Sequence, residues 1–398
     1  MSLLDSLGQL TSAGQPAIAL DTERCLHALN RSATCASCFE VCPAGAITPG
    51  KPPTLSAEQC QSCLACLAAC PTGAYRANDA ARSLVRSAAY LDGGTIELLC
   101  EKNPRPDRGV SADSTGVRVR GCLAGLGVGA HLALSALGFE RIVVRADACA
   151  GCPWASLLPC IETQLAQAAR LLDAWGRSDS LSCVTALGDG VERPVWNADN
   201  PPLSRRDLFR MLVRQGQLAT ADEIEGEPAR PDRSPGRDRL RLLRAMSHLP
   251  LPDIEASLDL GELGFAFVSI SEACTACGAC ARGCPTDALQ FLTNEDTTAY
   301  ALRFSARQCI GCDLCIGVCL PAAVSVDHAP AFWRVFSAET VIVRGGALTR
   351  CQRCGAPMAE RAGTDVCDLC EYRRANPFGS VLPPGFARPQ SGPEGKAS

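Results

Sequence analysis

Short apolar segments alternate with polar turns along most of the chain, and their pattern predicts several small units rather than one large core. Between residues 95 and 188, the segments TIELLC, GVRVRGC, RIVVRADAC and LSCVTAL are apolar and short, as is typical of strands. They alternate with LAGLGVGAHLALSALGF and SLLPCIETQLAQAARLLDAWG, whose length and apolar spacing predict helices. Strands that alternate with helices indicate a parallel sheet with helices on its faces.

A second pattern occurs four times: a short strand-like segment, a polar turn led by Ser or Asp, and then a cysteine. The four segments are AIALDTERC, PTLSAEQC, VSISEAC and LRFSARQC, which end at Cys25, Cys60, Cys274 and Cys309. This internal repeat indicates four related loops, arranged along the chain in two pairs.

Three of the repeats open a complete C-x2-C-x2-C-x3-C run. These runs are Cys60, Cys63, Cys66 and Cys70; Cys274, Cys277, Cys280 and Cys284; and Cys309, Cys312, Cys315 and Cys319. A loop with a thiolate at every third residue can wrap three corners of a cubane, and the fourth cysteine then leads away toward a second cluster. Chance clustering of cysteines does not produce three such runs, so they predict [4Fe-4S] clusters.

The remaining run lacks its first cysteine. It has the spacing C-x2-C-x3-C-P, formed by Cys35, Cys38 and Cys42. Ser32 stands where the first cysteine should be. The register of the repeat instead predicts Cys25 as the first ligand, with the insertion LHALNRSAT between Cys25 and Cys35. A serine oxygen ligand at Ser32 and a degenerate site are the alternatives.

Residues 20–76 and 268–326 resemble the bacterial two-cluster ferredoxins in these runs. In that family the fourth cysteine of each run ligates the other cluster of the pair. The resemblance implies four ligand sets, here called the first to the fourth set: Cys25, Cys35, Cys38 and Cys70; Cys60, Cys63, Cys66 and Cys42; Cys274, Cys277, Cys280 and Cys319; and Cys309, Cys312, Cys315 and Cys284. The insertion before Cys35 and the leucine that separates Cys319 from Pro321 depart from the family pattern.

The composition agrees with thiolate chemistry, because the chain has 26 cysteines and only 4 histidines. In a long chain, C-x2-C runs favour iron–sulfur clusters or zinc over disulfides. A net charge of −4 gives no sign of a nucleic-acid-binding surface. The segment MSLLDSLGQL lacks the features of a signal peptide, and the uncharged stretch 121–139 contains five glycines. We therefore expect a buried helix at 121–139 and a soluble, cytoplasmic protein without direct membrane insertion.

The predicted parallel sheet places a further group of cysteines together, because the carboxyl ends of parallel strands meet at one edge. This middle set is Cys100, Cys122, Cys149 and Cys152. It resembles the iron–sulfur domain of methyl-viologen-reducing hydrogenase delta subunits. The resemblance implies one more cluster, [2Fe-2S] or [4Fe-4S], and electron transfer to flavoproteins of the heterodisulfide-reductase type. A redox-active Cys149–Cys152 dithiol and inert buried cysteines are the alternatives.

Other polar residues of this region are interpreted as structural. Cys160 is interpreted as a helix cysteine, with a fifth ligand as the alternative, and Cys183 as a core residue of a strand. His131 is interpreted as a packed or surface residue of a helix rather than a ligand. The start of the first helix also fits G-x-G-x-x-A, at Gly125, Gly127 and Ala130. The four residues 121–124 separate this motif from its strand, which favours a small-residue helix over a bound dinucleotide.

The segment 201–250 is predicted to connect the two halves of the chain. LSRRDLFRML, from Leu203, predicts a short amphipathic helix, and EGEPARPDRSPGRDR, from Glu225, has the composition of a linker or disordered loop. RLRLLRAMSHLP predicts a helix with an arginine-rich face, which would be solvated or would dock on an acidic partner.

A last cysteine pattern lies near the C-terminus. It consists of Cys351, Cys354, Cys367 and Cys370. Two C-x2-C knuckles, twelve residues apart, suit one tetrahedral metal ion. The segment resembles a zinc ribbon, although rubredoxins hold iron with the same four thiolates. The short segment between the knuckles has no aromatic residue, which favours structural zinc.

The predicted fold class is multidomain α+β and α/β, with two ferredoxin-like 2[4Fe-4S] units flanking a small parallel-sheet α/β domain, and a zinc ribbon. The predicted boundaries are a ferredoxin-like domain at 1–90, the α/β domain at 91–200, a helix and disordered linker at 201–250, a second ferredoxin-like domain at 251–335, the zinc ribbon at 336–375 and a disordered tail at 376–398.

Four or five clusters in one chain exceed what a single active site needs, and they suit the relay of single electrons over a distance. The sequence thus predicts a non-catalytic electron-transfer subunit of a hetero-oligomeric oxidoreductase complex. Its expected partners are a hydrogenase, a formate-dehydrogenase-like enzyme or a heterodisulfide-reductase-like flavoprotein, and another carrier. The alternatives are a cluster-fed disulfide reductase that uses Cys149 and Cys152, and an iron–sulfur assembly factor.

Overall fold

The computed structural model describes residues 18–201, 215–228, 231–252, 260–336, 340–361 and 363–376. The chain forms two compact units. The first unit comprises Met1–Leu263 and Ala331–Phe336, and the second comprises Gly264–Pro330 and Ser337–Ser398. Each unit contains two of the four cysteine runs.

Seventeen strands and twelve helices are defined within the described residues. The strands are β1 (Ile18–Leu20), β2 (Ile47–Thr48), β3 (Thr54–Leu55), β4 (Tyr75–Ala77), β5 (Thr95–Cys100), β6 (Arg108–Gly109), β7 (Thr115–Val119), β8 (Arg141–Arg145), β9 (Leu181–Val184), β10 (Val191–Glu192), β11 (Val195–Asn197), β12 (Phe267–Ile270), β13 (Leu289–Thr293), β14 (Ala299–Ser305), β15 (Val324–Asp327), β16 (Thr340–Arg350) and β17 (Pro357–Ala359). The helices are α1 (Leu26–Leu29), α2 (Ser37–Glu40), α3 (Ala65–Ala69), α4 (Ala80–Ala88), α5 (Gly127–Ala136), α6 (Leu158–Asp173), α7 (Gln215–Ile224), α8 (Arg237–His248), α9 (Ala279–Arg282), α10 (Leu314–Gly317), α11 (Phe332–Phe336) and α12 (Asp368–Ala375).

A five-stranded sheet forms the core of the first unit. Its order is β11-β7-β5-β8-β9, and every neighbouring pair is parallel, so the predicted parallel sheet is confirmed. The central strand β5 is apolar because it is covered on both faces, and Ile96, Leu98 and Leu99 are fully buried. The stretch 121–139 contains α5, whose residues Gly127 to Ser135 are all buried. No helix in the described ranges is long and apolar enough to cross a membrane.

The cysteine runs of the two units share one structural plan. In the first unit, β1 pairs with β4 in antiparallel fashion around both runs, and the short hairpin β2–β3 lies between the runs. In the second unit, β12 pairs with β15, and the longer hairpin β13–β14 lies at the same place. Strand β14 also pairs with β16, and β16 pairs with β17, so that a four-stranded sheet carries the C-terminal cysteines.

The segment predicted as a linker or disordered loop begins at Glu225 and leads into α8. Glu225 is 5% exposed, and α8 packs against α5 with Arg241 3% exposed. The Arg241 guanidinium lies 3.0 Å from Glu225 Oε2 and 2.9 Å from Oδ2 of Asp79, the residue that caps α4. The arginine-rich face of α8 therefore binds acidic groups of its own unit. The predicted amphipathic helix from Leu203 lies outside the described residues.

Candidate iron–sulfur centres and metal site

The structure brings the cysteines of the first set together. They are carried by the turn after β1, by the start of α2 and by the end of α3, and all four line one pocket beside Tyr75. Burial raises the pKa of the Cys25 thiol, and the neighbouring Cys70 and Cys35 thiolates raise it further. Four thiolates in one pocket repel each other unless a cationic centre neutralises them, which is what the iron of a cluster supplies.

The second set is grouped in the same way on α3 and the loop before it. Burial raises the pKa of Cys66, and the thiolates of Cys63, Cys60 and Cys42 raise it further. Cys42 belongs to the first run in sequence, but its thiolate lies close to Cys66 and Cys63 of the second run. The structure thus places the crossed cysteines together, in agreement with the ligand sets that the ferredoxin resemblance implies.

The second unit repeats both groups. Cys284, Cys309, Cys312 and Cys315 line one pocket whose other walls are mostly apolar. For the third set, burial raises the pKa of Cys280 to about 11, and the thiolates of Cys277, Cys274 and Cys319 contribute to the rise.

The backbone of the three complete runs has a repeated conformation that suits a cluster. The residues just before and just after the second cysteine both have positive φ: Ser62 and Leu64, Ala276 and Gly278, and Gly311 and Asp313, all between 55° and 67°. Left-handed residues alternating with right-handed ones turn successive N–H groups toward one side and form a concave anion site, as in many iron–sulfur sites. Four of these six residues are not glycine, so the conformation has a local cost that ligation can offset.

In each unit, the last cysteine of the second run accepts a backbone hydrogen bond. The Ala74 N–H donates to the Cys70 Sγ over 3.2 Å, and the Ala323 N–H donates to the Cys319 Sγ over 3.2 Å. Hydrogen bonds of this kind stabilise the thiolate form and influence the potential of a bound cluster. Sequence analysis missed Ala74 and Ala323, although both lie four residues after their cysteine.

The first run differs in its backbone. Its residues from Cys35 to Cys42 have no positive φ, and the insertion forms α1. Leu26 and His27 of α1 are buried and line the cavity of the first set, with His27 Nε2 at 2.7 Å from the Cys35 carbonyl oxygen. The insertion therefore covers this site, and Cys25 rather than Ser32 faces it, since the Ser32 hydroxyl donates to Asn30.

The middle set lies at the carboxyl edge of the parallel sheet. Cys100 ends β5, Cys122 follows β7, and Cys149 and Cys152 follow β8. Burial raises the pKa of Cys122 to about 12, with further contributions from Cys100 and Cys149. Burial also raises the pKa of Cys149 to about 11, and the Cys100 and Cys152 thiolates add to it. Four converging, desolvated thiols suit a cationic cluster in the same way as the ferredoxin-type sets.

The direction of the Cys149 pKa does not favour Cys149 as the nucleophile of a dithiol. A nucleophilic cysteine of a disulfide oxidoreductase has a lowered pKa, which keeps its thiolate available at neutral pH. Cys149 has a raised pKa instead. Cys160 lies apart from the middle set, with its Sγ 3.5 Å from the Gln164 side chain on α6. Cys183, on β9, is half-buried and near enough to Cys149 to raise its pKa.

The glycine-rich start of α5 is occupied by a carboxylate. Asp238 of α8 accepts hydrogen bonds from the Gly129 N–H over 2.8 Å and from the Val128 N–H over 3.2 Å. A Cβ atom at Gly127 would lie 2.3 Å from the Asp238 carboxyl carbon. The amide groups that would bind a pyrophosphate already bind this carboxylate, so the geometry favours the small-residue helix over a dinucleotide site.

The C-terminal cysteines are arranged for a single metal ion. Their Sγ atoms all lie within 4.8 Å of one another, with Cys354 and Cys367 Sγ 3.8 Å apart. A tetrahedral Zn–S bond of about 2.3 Å gives an S–S edge of about 3.8 Å. Cys351 follows β16 and Cys367 precedes α12, while Gly355 turns the first knuckle with φ of 72°. The four thiolates therefore fit zinc, or iron as in rubredoxins.

We expect the Cys354→Ala variant to lose about one zinc per chain while its iron content stays unchanged, because a structural zinc site needs all four ligands. The measurement is elemental analysis of purified protein. Gln352→Ala, an exposed change in the same knuckle, is the matched control and should retain the zinc. A Cys354→Ala protein with unchanged metal content would contradict the single-ion site.

Comparison with known families supports the cluster chemistry. Residues 273–323 match the 4Fe-4S dicluster domain family. The matched range contains every cysteine of the third and fourth sets and ends before the flanking strands β12 and β15 on either side. No curated protein matches the chain significantly. The family match and the grouped cysteines make the chain an iron–sulfur protein with a ferredoxin-like 4Fe-4S domain.

Proposed function

We propose that the protein is an electron-transfer subunit that relays single electrons between a redox enzyme and another carrier. The observation that carries the proposal is the grouping of the sixteen ferredoxin-type cysteines into four sets of four, each set crossed between two runs. Thiolate-bound clusters accept and release one electron at a time. The residues of this chain hold the thiolates, exclude water and donate N–H groups to sulfur.

The proposed cofactors are four [4Fe-4S] clusters, one further cluster on the middle set, and zinc or iron in the ribbon. Along the sequence, the proposed domains are two ferredoxin-like domains on either side of the α/β domain, followed by the zinc ribbon. The proposed partners are a hydrogenase, a formate-dehydrogenase-like enzyme or a heterodisulfide-reductase-like flavoprotein. The last of these is the partner that the resemblance of the middle set implies.

Anaerobic purification, followed by iron, sulfide and zinc analysis and a reductive titration monitored by EPR, tests the proposal. We expect about 16 iron atoms from four cubanes, about 2 to 4 more from the centre on the middle set, and about one zinc per chain in the four-thiolate site. Clusters that cycle between two redox states while they remain bound support the relay. Iron well below four cubanes in fully loaded protein would overturn it, and ready transfer of clusters to an apo-acceptor would favour an assembly factor.

A further inference from the structure

The loop that carries Cys63 contacts the edge of the sheet that carries Cys122, and both belong to the first unit. The Cys122 N–H donates a hydrogen bond of 3.0 Å to the Cys63 carbonyl oxygen. A residue of the second set is therefore joined to a residue of the middle set by one backbone hydrogen bond. We call Cys63, Leu64, Gly121, Cys122 and Gly125 the Cys63–Cys122 contact.

Two glycines allow this approach. A Cβ atom at Gly121 would lie 2.9 Å from the Cys63 carbonyl oxygen, and a Cβ atom at Gly125 would lie 3.0 Å from the Leu64 Cβ. Gly121 also has φ of 70°, whereas Gly125 has no positive φ that would itself require glycine. At Gly125, the close approach of the second-set loop is therefore the reason for a residue without a side chain.

Leu64 has an unfavourable backbone conformation, and the packing of its side chain on the sheet edge offsets that cost. It has φ of 67°, at the position where the third and fourth runs have Gly278 and Asp313. Glycine and aspartate tolerate left-handed backbone far better than leucine. The Leu64 side chain is buried against Gly121, with its Cγ 3.1 Å from the position of a Cβ there. Packing on the sheet edge explains why leucine is accepted here.

A second hydrogen bond, between side chains, joins the loop of the second set to the loop that follows β8. The Trp154 Nε1–H donates to the Gln61 Oε1 over 2.9 Å, and Trp154 is 3% exposed. Its backbone N–H points to the Cys152 Sγ at 3.5 Å, and Lys102 Nζ lies 4.5 Å from its ring centroid. Thus the loops after β5, β7 and β8 all meet at or beside the loop of the second set.

We infer that the Cys63–Cys122 contact is the internal electron path between the centre held by the second set and the centre held by the middle set. The inference rests on the proposed function, because it requires a redox centre on the middle set. The step is the transfer of one electron with no bond made or broken: the centre on one set is oxidised by one electron as the centre on the other is reduced. The electron would pass through the hydrogen bond between the Cys122 amide and the Cys63 carbonyl group rather than through solvent.

The test uses the full-length, cluster-loaded protein and the Gly125→Val variant, whose side chain would separate Leu64 from the sheet edge. In the wild-type protein, EPR of the reduced state should show magnetic interaction between the two centres. In the variant we expect the interaction to weaken and photoinitiated electron transfer between the centres to slow several-fold, at unchanged iron and sulfide content. Gly216→Val on α7 is the control, because a Cβ there meets nothing within 4 Å.

Two milder variants keep the test decisive if Gly125→Val loses iron. Leu64→Gly keeps the left-handed turn but removes the packing, and Trp154→Phe keeps the ring but removes the hydrogen bond to Gln61. Either should slow the transfer at full iron content, and unchanged interaction and rate in all iron-replete variants would overturn the inference. A wild-type protein whose iron and EPR signals stop at four cubanes would instead refute the middle centre, which is a failure of the proposed function.

Discussion

The Cys42→Ala variant is expected to lose the centre held by Cys60, Cys63 and Cys66, although Cys42 belongs to the other run in sequence. In the structure its thiolate lies close enough to Cys66 and Cys63 to raise the pKa of both. Loss of one thiolate ligand should release a cubane, so iron should fall by about four atoms per chain. Cys160→Ala is the control, because Cys160 lies outside every set, and its iron content should equal that of the wild type.

Double variants distinguish crossed from uncrossed ligation by iron content alone. With Cys35→Ala, the first set already loses its centre. Adding Cys70→Ala should then cost no further iron, because Cys70 belongs to the same set. Adding Cys42→Ala should cost about four more atoms, since a second cubane is lost. The reverse outcome, in which the Cys70 double variant loses the additional iron, would contradict the crossed sets.

The cysteine groups could be predicted from sequence because their information is local and repeated. A strand, a polar turn and a cysteine recur four times, and this register located Cys25 although nine residues separate it from Cys35. The structure places Cys25 in the cavity with Cys35, Cys38 and Cys70. The parallel sheet was predictable for a similar reason, since alternating strands and helices specify it without knowledge of any distant contact.

The packing of α8 could not be predicted, because it depends on distant partners. Its helix and its arginine-rich face are visible in the sequence, but nothing near it in sequence reveals that Arg241 pairs with Asp79 and Glu225. Asp238 likewise has no local signal, since the amide groups that it binds lie more than one hundred residues earlier, on α5. A buried ion pair is visible only once both elements are placed.

The contact between the second set and the middle set was also missed. The sequence places Gly125 in the glycine motif at the helix start and Gly121 just before it, but it does not identify the part of the chain that packs against them. Leu64 was the available signal, because its position in the other complete runs holds glycine or aspartate. A leucine at a turn position is informative only after the left-handed conformation of that position is known.

A buried network of charges holds the loops around the middle set. Arg145, at the end of β8, lies 2.9 Å from Glu97 Oε2 and 2.7 Å from Asp147 Oδ1. Glu97 lies on β5 and also pairs with Arg193 at 3.2 Å. The side chains of Glu97, Arg145 and Arg193 are fully buried. Because Asp147 precedes Cys149 by two residues, Arg145 fixes the start of the loop that carries two cysteines of the middle set.

We expect Arg145→Met to lower the free energy of unfolding by about 3–5 kcal/mol, because removal of one partner leaves buried carboxylates without their counter-charge. Glu97 would keep Arg193, whereas Asp147 would lose both hydrogen bonds from the guanidinium. The measurement is the guanidinium chloride midpoint of anaerobic, cluster-loaded protein, followed by circular dichroism. Arg86→Met removes an exposed arginine 3.4 Å from Asp222, and it should cost less than about 1 kcal/mol.

The pH dependence of this penalty identifies its origin. Burial opposes ionisation of Glu97, but hydrogen bonds from Arg193, Ser114 and Arg145 outweigh it and lower its pKa. A carboxyl group with a lowered pKa in the folded state stabilises the fold above its unfolded pKa of about 4.3, and this stabilisation is lost as the pH falls through the folded value. The Arg145→Met penalty should thus be constant across neutral pH. A penalty that already shrinks between about pH 8 and 6 would contradict an ionised Glu97, because no carboxylate with a lowered pKa titrates there.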